Sequence, residues 1–401
     1  MKRSFTYITI LFLIPGILEF IDSSVFFIDV PGSPLSFGRL CFVLVGFMSL
    51  HKIKYLKKNR IFIALIIIQF GLYIGLLFSS DMLVGLSRTI AFNLLLLSAA
   101  ALSFCWRKKA FQRLLNLSMI VMFSYWVIYI STNVFSGTNL LSYAQIYKTG
   151  EVLNHHVVGL RVSMSAIYLA SQLMSSSKVK KYFGYILIII AFFLCLSIQS
   201  RSNSLFTLLA GLIFYIINNK VSIKFFLISI PILTVFATLF FNYISGFDAI
   251  YSRFNLTDTN YQFRTTESRF KLLELFFENF INYPFGKGIT NIKLYYGAGK
   301  NYYVHNQFLT FIIAGGIFSM IGVVIWIRNI IKLSMLIFLK KWKSQISKFE
   351  TALIVNLILF SLTMLTIDIS GLYFFFMLSF TIYLMSRYRE INLNYKYKIN
   401  K

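Results

Sequence analysis

The sequence predicts an all-helical polytopic membrane protein with about twelve transmembrane helices and one large loop on the outer side. Three features of the composition carry this prediction: apolar residues make up 58% of the 401 residues, charged residues make up only 13%, and the mean hydropathy is +0.73. A soluble domain typically contains about 25% charged residues, because its whole surface faces water. The composition therefore excludes a soluble enzyme or a soluble binding module.

Each predicted span is a mostly apolar run close to the roughly 20 residues that cross the hydrocarbon core as a helix. The first run is expected to remain as a span rather than be cleaved as a signal peptide, since it is long and no small-residue cleavage pattern follows it. Together the spans predict one transmembrane domain over residues 1–401. They cover residues 5–28, 35–50, 61–79, 83–105, 114–135, 157–174, 182–198, 204–218, 223–244, 306–327, 351–369 and 371–387.

Lysine and arginine residues in the short connections set the orientation of these spans. Lys2 and Arg3 precede the first span, and every second connection carries basic residues, as does the tail from Arg387 onward. These connections and both termini are therefore predicted to lie in the cytoplasm. The net charge of +26 follows from this topology and suits an anionic lipid leaflet, so no nucleic-acid partner is expected.

The predicted outer connections include a loop over 136–156 and a dominant one over 245–305. A connection as long as the second is usually functional. Within it, residues 269–285 predict an amphipathic helix that Pro284 ends. This helix is expected to lie in the outer interface of the membrane or to pack over the bundle. Its apolar positions recur at helical spacing and are Phe270, Leu273, Phe276, Phe277, Phe280 and Ile281.

Four arginines lie at the predicted outer ends of spans: Arg39, Arg88, Arg161 and Arg201. Charged groups at this depth tend to face the bundle interior or a polar cavity, and a guanidinium group binds phosphate oxygens bidentately. Four such residues that converge would predict a bound anion. For any one of them, the alternative is snorkelling to the headgroups or ion pairing between helices.

Arg201 is the most specific of the four, because it lies in a polar turn between two apolar helices. Ser202, Asn203 and Ser204 follow it and are good N-cap residues. A helix N-terminus beside an arginine favours an anion site. The alternative is a capped turn with one solvated arginine.

His305 is the candidate general base. It lies where the large loop returns to the membrane, and Asn306 follows it at an N-cap-like position. Histidine titrates near neutral pH, which suits a general base, although a lone histidine is more often structural. The outer loops carry no DxD, HExxH or carboxylate cluster, so no metal is expected. The three cysteines lie in apolar runs and predict no disulfide scaffold.

In this order, the motifs resemble the O-antigen polymerase and O-antigen ligase superfamily of bacterial surface-polysaccharide assembly. The resemblance spans about 199–316 and implies a GT-C-like fold and a glycosyltransferase of the bacterial inner membrane. The enzyme would work without a cofactor, on the periplasmic side, on glycan carried by undecaprenyl diphosphate. The residues that carry the resemblance are Gln199-Ser200-Arg201-Ser202, Arg264, Arg269, Tyr283-Pro284-Phe285-Gly286-Lys287-Gly288, His305-Asn306-Gln307-Phe308-Leu309 and Gly315-Gly316.

The resemblance also implies roles for the matched residues. Arg201 would bind the leaving diphosphate, and His305 would deprotonate or orient the acceptor hydroxyl, with inversion at the anomeric carbon. By their placement, a further set of arginines is assigned to the diphosphate: Arg39, Arg88, Arg161, Arg264 and Arg269. Tyr302, Tyr303 and Asn306 are assigned to the glycan, although tyrosine is also ordinary at a membrane interface.

Three functions remain open at this point. A polymerase would join lipid-linked repeat units, with a chain-length regulator as a candidate partner protein. A ligase would transfer the finished glycan to lipid A-core. The polymerase is favoured because nothing in the sequence indicates a core-oligosaccharide acceptor. A flippase or transporter is the third, against which stand the single long outer loop and the lack of an internal repeat.

Overall fold

The computed structural model describes a largely helical protein. Apart from the helices, the described residues contain turns and two short antiparallel hairpins. The residues described are 14–19, 21, 28, 36–48, 50–135, 146–148, 151–153, 155–174, 178–198, 200–218, 271, 273–290, 294–295, 301–302, 306–337, 346–364 and 371–399.

The helices follow the predicted spans closely. They are α1 Phe37–Met48, α2 Arg60–Leu76, α3 Met82–Leu102, α4 Lys109–Phe135, α5 His155–Met174, α6 Lys178–Ser197, α7 Arg201–Asn218, α8 Gln307–Met335, α9 Lys348–Met364 and α10 Gly371–Ile399. A 3-10 helix covers Leu50–Leu56. The hairpins pair β1 Ile146–Lys148 with β2 Glu151–Leu153, and β3 Leu294–Tyr295 with β4 Asn301–Tyr302. Residues 273–282 form a further helix, called here the loop helix.

The chain is a helical membrane protein. Among the described residues, four helices are long and apolar enough to cross a bilayer: Met82–Leu102, Lys109–Thr132, Val179–Ser197 and Gln307–Met335. Phe37–Met48, Arg60–Leu76 and Ser202–Ile217 are apolar but shorter. Twelve crossings and the cytoplasmic position of the termini stay predictions. The predicted span 223–244 lies outside the described residues, and of the first span residues 14–19 and 21 are helical.

The chain divides into two compact units. The first contains Met1–Arg113, Asn260–Leu336 and Phe360–Lys401, and the second contains Leu114–Thr259 and Ile337–Leu359. The single domain predicted over 1–401 is therefore described below as two parts. The loop helix and α8 belong to the first unit, whereas α5 and α7 belong to the second.

The first unit is held by aromatic packing and by side chains that join distant helices. Asn59 caps α2, since its Oδ1 accepts from the Ile61 and Phe62 amides at 3.1 Å, while its Nδ2 donates to the Ile382 carbonyl of α10 at 2.8 Å. The Trp106 indole donates to Ser379 Oγ at 2.6 Å. These buried polar groups are satisfied by other helices, as a membrane interior requires.

The second unit has a polar helix interface. Ser163 on α5 and Thr207 on α7 are fully buried and their hydroxyls lie 2.6 Å apart. Hydroxyl contacts of this kind hold membrane helices together where lipid supplies no hydrophobic driving force. The polar side chains of α5 therefore point into the protein.

Candidate active site and the turn that supports it

Helix α8 is broken at Gly316, whose backbone has φ 60° and ψ −146°. The rings of Phe308 and Trp326 have centroids 5.5 Å apart, whereas a straight helix would separate these residues by about 27 Å. The helix must therefore fold back into two halves, residues 307–315 and 317–335. The span that the sequence predicts over 306–327 thus contains a reversal of the chain at Gly316.

The backbone groups at the break are satisfied by the turn over residues 284–288. The Lys287 amide donates to the Ile313 carbonyl at 3.0 Å, and the Gly288 amide donates to the Ala314 carbonyl at 3.0 Å. In return, the Ile317 amide donates to the Pro284 carbonyl at 2.8 Å. Irregular backbone in a membrane protein needs other parts of the protein to satisfy its hydrogen bonds, and this turn does so.

The glycines of both segments are required by this close approach. Gly286 has φ 89°, and a Cβ there would lie 2.4 Å from the Ala314 oxygen. A Cβ on Gly316 would lie 2.2 Å from the Pro284 oxygen. Only glycine combines a positive φ with room for this contact. Two motifs that are separate in the sequence, Pro-x-Gly-x-Gly and Gly-Gly, thus form one structural joint.

Helix α2 closes the joint from its other side. A Cβ on Gly75 would lie 2.0 Å from the Ala314 oxygen, and one on Gly71 would lie 2.6 Å from Ser319 Oγ. Ser319 Oγ also donates to the Ile68 carbonyl at 3.1 Å. Gly71 and Gly75 have the spacing of the small-residue motif that lets membrane helices approach closely. The Gly-x-x-x-Gly spacing is visible in the sequence, but it is not among the motifs from which the site was predicted.

Asn306 is the N-cap of the first half of α8, as its position predicts. Its Oδ1 accepts from the Phe308 amide at 3.0 Å and from the Leu309 amide at 3.2 Å. The assignment of Asn306 to the glycan stays a prediction, but its carbonyl-type oxygen is already used by the cap. His305 lies outside the described residues, immediately before this cap.

We expect Asn306→Ala to lower the stability of the protein by about 1 kcal/mol, the usual effect of losing an N-cap. Asn306→Asp should unfold at nearly the wild-type temperature, because a carboxylate accepts the same two amide hydrogens. Thermal unfolding of both purified variants in detergent measures the difference. Equal destabilisation by both substitutions would argue against the capping role.

Arg161 is fully buried in the second unit. Its guanidinium carbon lies 5.2 Å from the ring centre of Trp126, which is also fully buried. Such a cation–π contact is worth about 2 kcal/mol when water is excluded. Of the proposed diphosphate ligands whose side chains the structure describes, Arg161 is the one held inside the protein, where a charge at this depth is expected to lie.

The Ser-Arg turn packs on another face of α5. Asn203 Nδ2 donates to the His156 carbonyl at 2.8 Å and to Ser200 Oγ at 2.9 Å. Gly159 leaves no room for a side chain, since a Cβ would lie 2.6 Å from Ser200 Oγ. Arg161 is two residues further along α5, which is about 200° around the helix. The structure therefore does not bring Arg161 and the start of α7 onto one face of α5.

Arg201 is the first residue of α7, so Ser202, Asn203 and Ser204 lie inside the first turn of the helix, and their predicted position at its N-cap is wrong. For Arg201, the structure describes the backbone only. Tyr302 is likewise described by its backbone, in β4. Arg264, Arg269 and Tyr303 lie outside the described residues.

Arg39 makes an ion pair. Its Nε lies 3.2 Å from Glu19 Oε1, and the other carboxylate oxygen of Glu19 accepts from Ser36 Oγ at 2.5 Å. Glu19 is buried. The alternative interpretation, ion pairing between helical segments, thus holds for Arg39. Arg88 lies on α3 and is exposed.

The predicted amphipathic helix over 269–285 is confirmed for residues 273–282. Residues 269, 270 and 272 lie outside the described part of the chain. Beyond the helix, the Lys287 ammonium group lies 4.2 Å from the Tyr283 ring centre. Partial burial lowers the pKa of Lys287 from its ordinary value.

Within the described residues, no group of three or more His, Cys, Asp and Glu side chains could hold a metal ion. Cys41, Cys105 and Cys195 are buried free thiols. No protein-family model, curated protein or solved structure matches the chain. The resemblance to O-antigen polymerases and ligases therefore stays a prediction from the motif residues.

Proposed function

We propose that the protein is an O-antigen polymerase, a glycosyltransferase of surface-polysaccharide and lipopolysaccharide biosynthesis. It would join repeat units carried on undecaprenyl diphosphate, on the periplasmic side of the bacterial inner membrane. The observation that carries the proposal is the broken helix α8. Its first half begins directly after His305 and is supported by the turn that contains the other motif of the family.

A broken helix in a membrane protein usually marks a binding site or a cavity. The first half of α8 begins behind the Asn306 cap, its N-terminus carries partial positive charge, and one residue directly precedes the cap in the sequence. Here that residue is His305. A general base must be held within about 3 Å of the proton it removes, and the position of His305 next to the capped start of a helix supports a catalytic role.

The proposed reaction has one chemical step. His305 takes the proton of the acceptor hydroxyl as its oxygen attacks the anomeric carbon of the donor glycan. The bond from that carbon to the diphosphate oxygen breaks, the electron pair leaves with the diphosphate, and the configuration inverts. Since the donor linkage itself supplies the energy, the reaction needs neither ATP nor a metal.

Arginine side chains would stabilise the charge that develops on the leaving diphosphate. Arg201 has the strongest support among them because it matches the family motif. Arg161 is supported by its complete burial. Arg39 has the least support, since it is paired with Glu19. Arg88, Arg264 and Arg269 remain proposed contacts from their position in the sequence.

Two other functions keep some support. A ligase that transfers finished glycan to lipid A-core would use the same donor and the same motifs. A polysaccharide flippase is the second candidate from a different class, because broken helices are also common in transporters. A proton-coupled flippase would need an acidic side chain inside the membrane to carry protons. Glu19, which lies in the first predicted span, is instead bound to Arg39 and Ser36.

A strain that lacks the protein separates these functions. For a polymerase, we expect single repeat units to reach the surface while long chains disappear from the gel profile of surface glycan. For a ligase, no repeat would reach the surface and long lipid-linked polymer would accumulate in the pool of undecaprenyl-linked glycan. An unchanged profile would contradict both enzyme proposals.

A further inference from the structure

The loop helix presents three different faces. Phe276 is buried and Phe280 is half-buried, and their rings stack with centroids 6.4 Å apart. Leu273, Phe277 and Ile281 form a second face and are exposed by 41%, 60% and 75%. A third face carries the exposed polar side chains Glu274, Glu278 and Asn282.

On each exposed face of the loop helix the residues are four apart, so the two faces form parallel stripes along the helix. Residues four apart stack on one side of a helix, and the polar stripe is offset from the apolar stripe by one residue, or about 100°. A helix that merely packs over a protein in water needs one apolar face. The loop helix has a second apolar face, which none of the residues described in the structure covers, next to a face suited to water.

The exposed apolar stripe continues onto the surface of the membrane-crossing helices. Phe285, just after the loop helix, stacks on Phe78 at 6.2 Å, and both rings are exposed. Leu77 and Leu83, on either side of the α2–α3 turn, are exposed by 71% and 81%. Helix α3 is long and apolar enough to cross the bilayer, so its outward apolar side chains face lipid.

The second half of α8 extends the same surface. Ile317, Ile321 and Val324 are exposed on it. Ile317 is also the residue whose amide donates to the Pro284 carbonyl at 2.8 Å. The turn after the loop helix is therefore attached at the lipid-facing side of α8.

The same turn fixes the position of the loop helix relative to the boundary between lipid and water. Ser79 Oγ and Thr290 Oγ1 lie 2.6 Å apart, which links the turn to the end of α2. Ser79, Ser80 and Asp81 form the polar connection to α3, and Asp81 caps that helix. Polar connections between spans lie where lipid meets water. The C-terminal end of the loop helix is consequently fixed at that boundary.

We infer that the loop helix is a membrane-docking element that lies in the plane of the interface. Leu273, Phe277 and Ile281 insert into the leaflet around the α2–α3 turn, while Glu274 and Glu278 face water. The partner of this surface is the lipid bilayer. Separate faces toward lipid, protein and water are typical of helices that lie in a membrane interface. The exposed apolar stripe is also continuous with the lipid-facing surface of α3 and α8.

Spin labels on single cysteines test this arrangement. The protein, with Cys41, Cys105 and Cys195 replaced by alanine, is reconstituted in phosphatidylethanolamine–phosphatidylglycerol nanodiscs. Collisions with oxygen report lipid, and collisions with a water-soluble nickel chelate report water. We expect Phe277→Cys and Ile281→Cys labels to favour oxygen, as a Val324→Cys label on α8 does. The Glu274→Cys and Glu278→Cys labels should favour nickel.

Two outcomes would overturn the inference. Labels at 277 and 281 that are as open to nickel as the label at 278 would place the helix in water. Labels that neither reagent reaches would mean that protein, such as a second copy of the chain, covers the stripe. If the alanine background does not fold, a photo-crosslinking amino acid at position 277 of the otherwise unchanged chain gives the same answer. Lipid adducts are then expected, and protein adducts alone would refute docking. None of these readouts depends on enzymatic activity.

Discussion

Gly75→Ala is expected to destabilise the protein strongly, because the new methyl group would lie 2.0 Å from the Ala314 carbonyl oxygen. This oxygen cannot move aside freely, since it accepts the Gly288 amide at 3.0 Å. Either α2 shifts away from α8 or the joint between α8 and the 284–288 turn opens. Overpacking costs about 1–3 kcal/mol, and an unmade buried hydrogen bond adds about 1–3 kcal/mol.

Gly85→Ala is the matched control within the same unit. Its nearest neighbour would be Leu76 Cδ2 at 2.7 Å, which is the end of a flexible side chain and can rotate away. Thermal unfolding in detergent should therefore show a large loss of stability for Gly75→Ala and a small change for Gly85→Ala. If the two variants unfold at the same temperature, the close crossing of α2 and α8 is not what holds the joint.

The positions of the helices were predictable because a bilayer imposes the same requirement on every span. About 20 apolar residues are needed whatever the neighbouring helices are, and the helices α1 to α7 start within a few residues of the predicted spans. The loop helix was predictable for a similar reason. Its apolar residues recur with the period of a helix, and Pro284 ends it.

The fold-back of α8 was not predictable from hydropathy. The apolar run continues through Gly315 and Gly316, so both halves read as one span. Glycine permits a reversal but does not demand one. The reversal depends on hydrogen bonds from residues 284–288, and no local signal indicates that these two glycine-containing segments will pair.

The partners of the arginines were unpredictable for a different reason. The sequence places Arg39 and Arg161 at the ends of spans, but it does not give the rotation of each helix. Glu19 lies in the first predicted span and Arg39 in the second, and only the packing shows that the two residues pair. On α5, the rotation directs Gly159 toward Ser200 and Arg161 toward Trp126.

Loss of long glycan chains is the second large effect, and we expect it for His305→Ala and for Arg201→Ala. Removing a general base typically lowers a rate by about 10²–10⁴-fold, and removing one group that stabilises developing charge lowers it by about 10²–10³-fold. Surface glycan on a gel measures the product. Immunoblots of membranes check insertion, and the lipid-linked repeats should still be delivered to the outer side.

Lys271→Ala supplies the control for both variants. Lys271 precedes the loop helix and its ammonium group lies 2.7 Å from the Glu274 carboxylate, and it has no role in the proposed reaction. This variant should make chains of normal length. If His305→Ala and Arg201→Ala also keep full activity, the enzyme proposal loses the two residues on which its chemistry depends.

A comparison of Arg161→Ala with His305→Ala distinguishes a structural effect from a catalytic one. Arg161→Ala leaves an empty site beside Trp126 and removes the cation–π contact of the second unit, so both stability and glycan assembly should fall. His305→Ala leaves the Asn306 cap intact, so glycan assembly should fall while the unfolding temperature stays near that of the wild type. If His305→Ala lowered the stability as much as the activity, His305 would be a structural residue. The proposed general base would then have to be sought elsewhere on the chain.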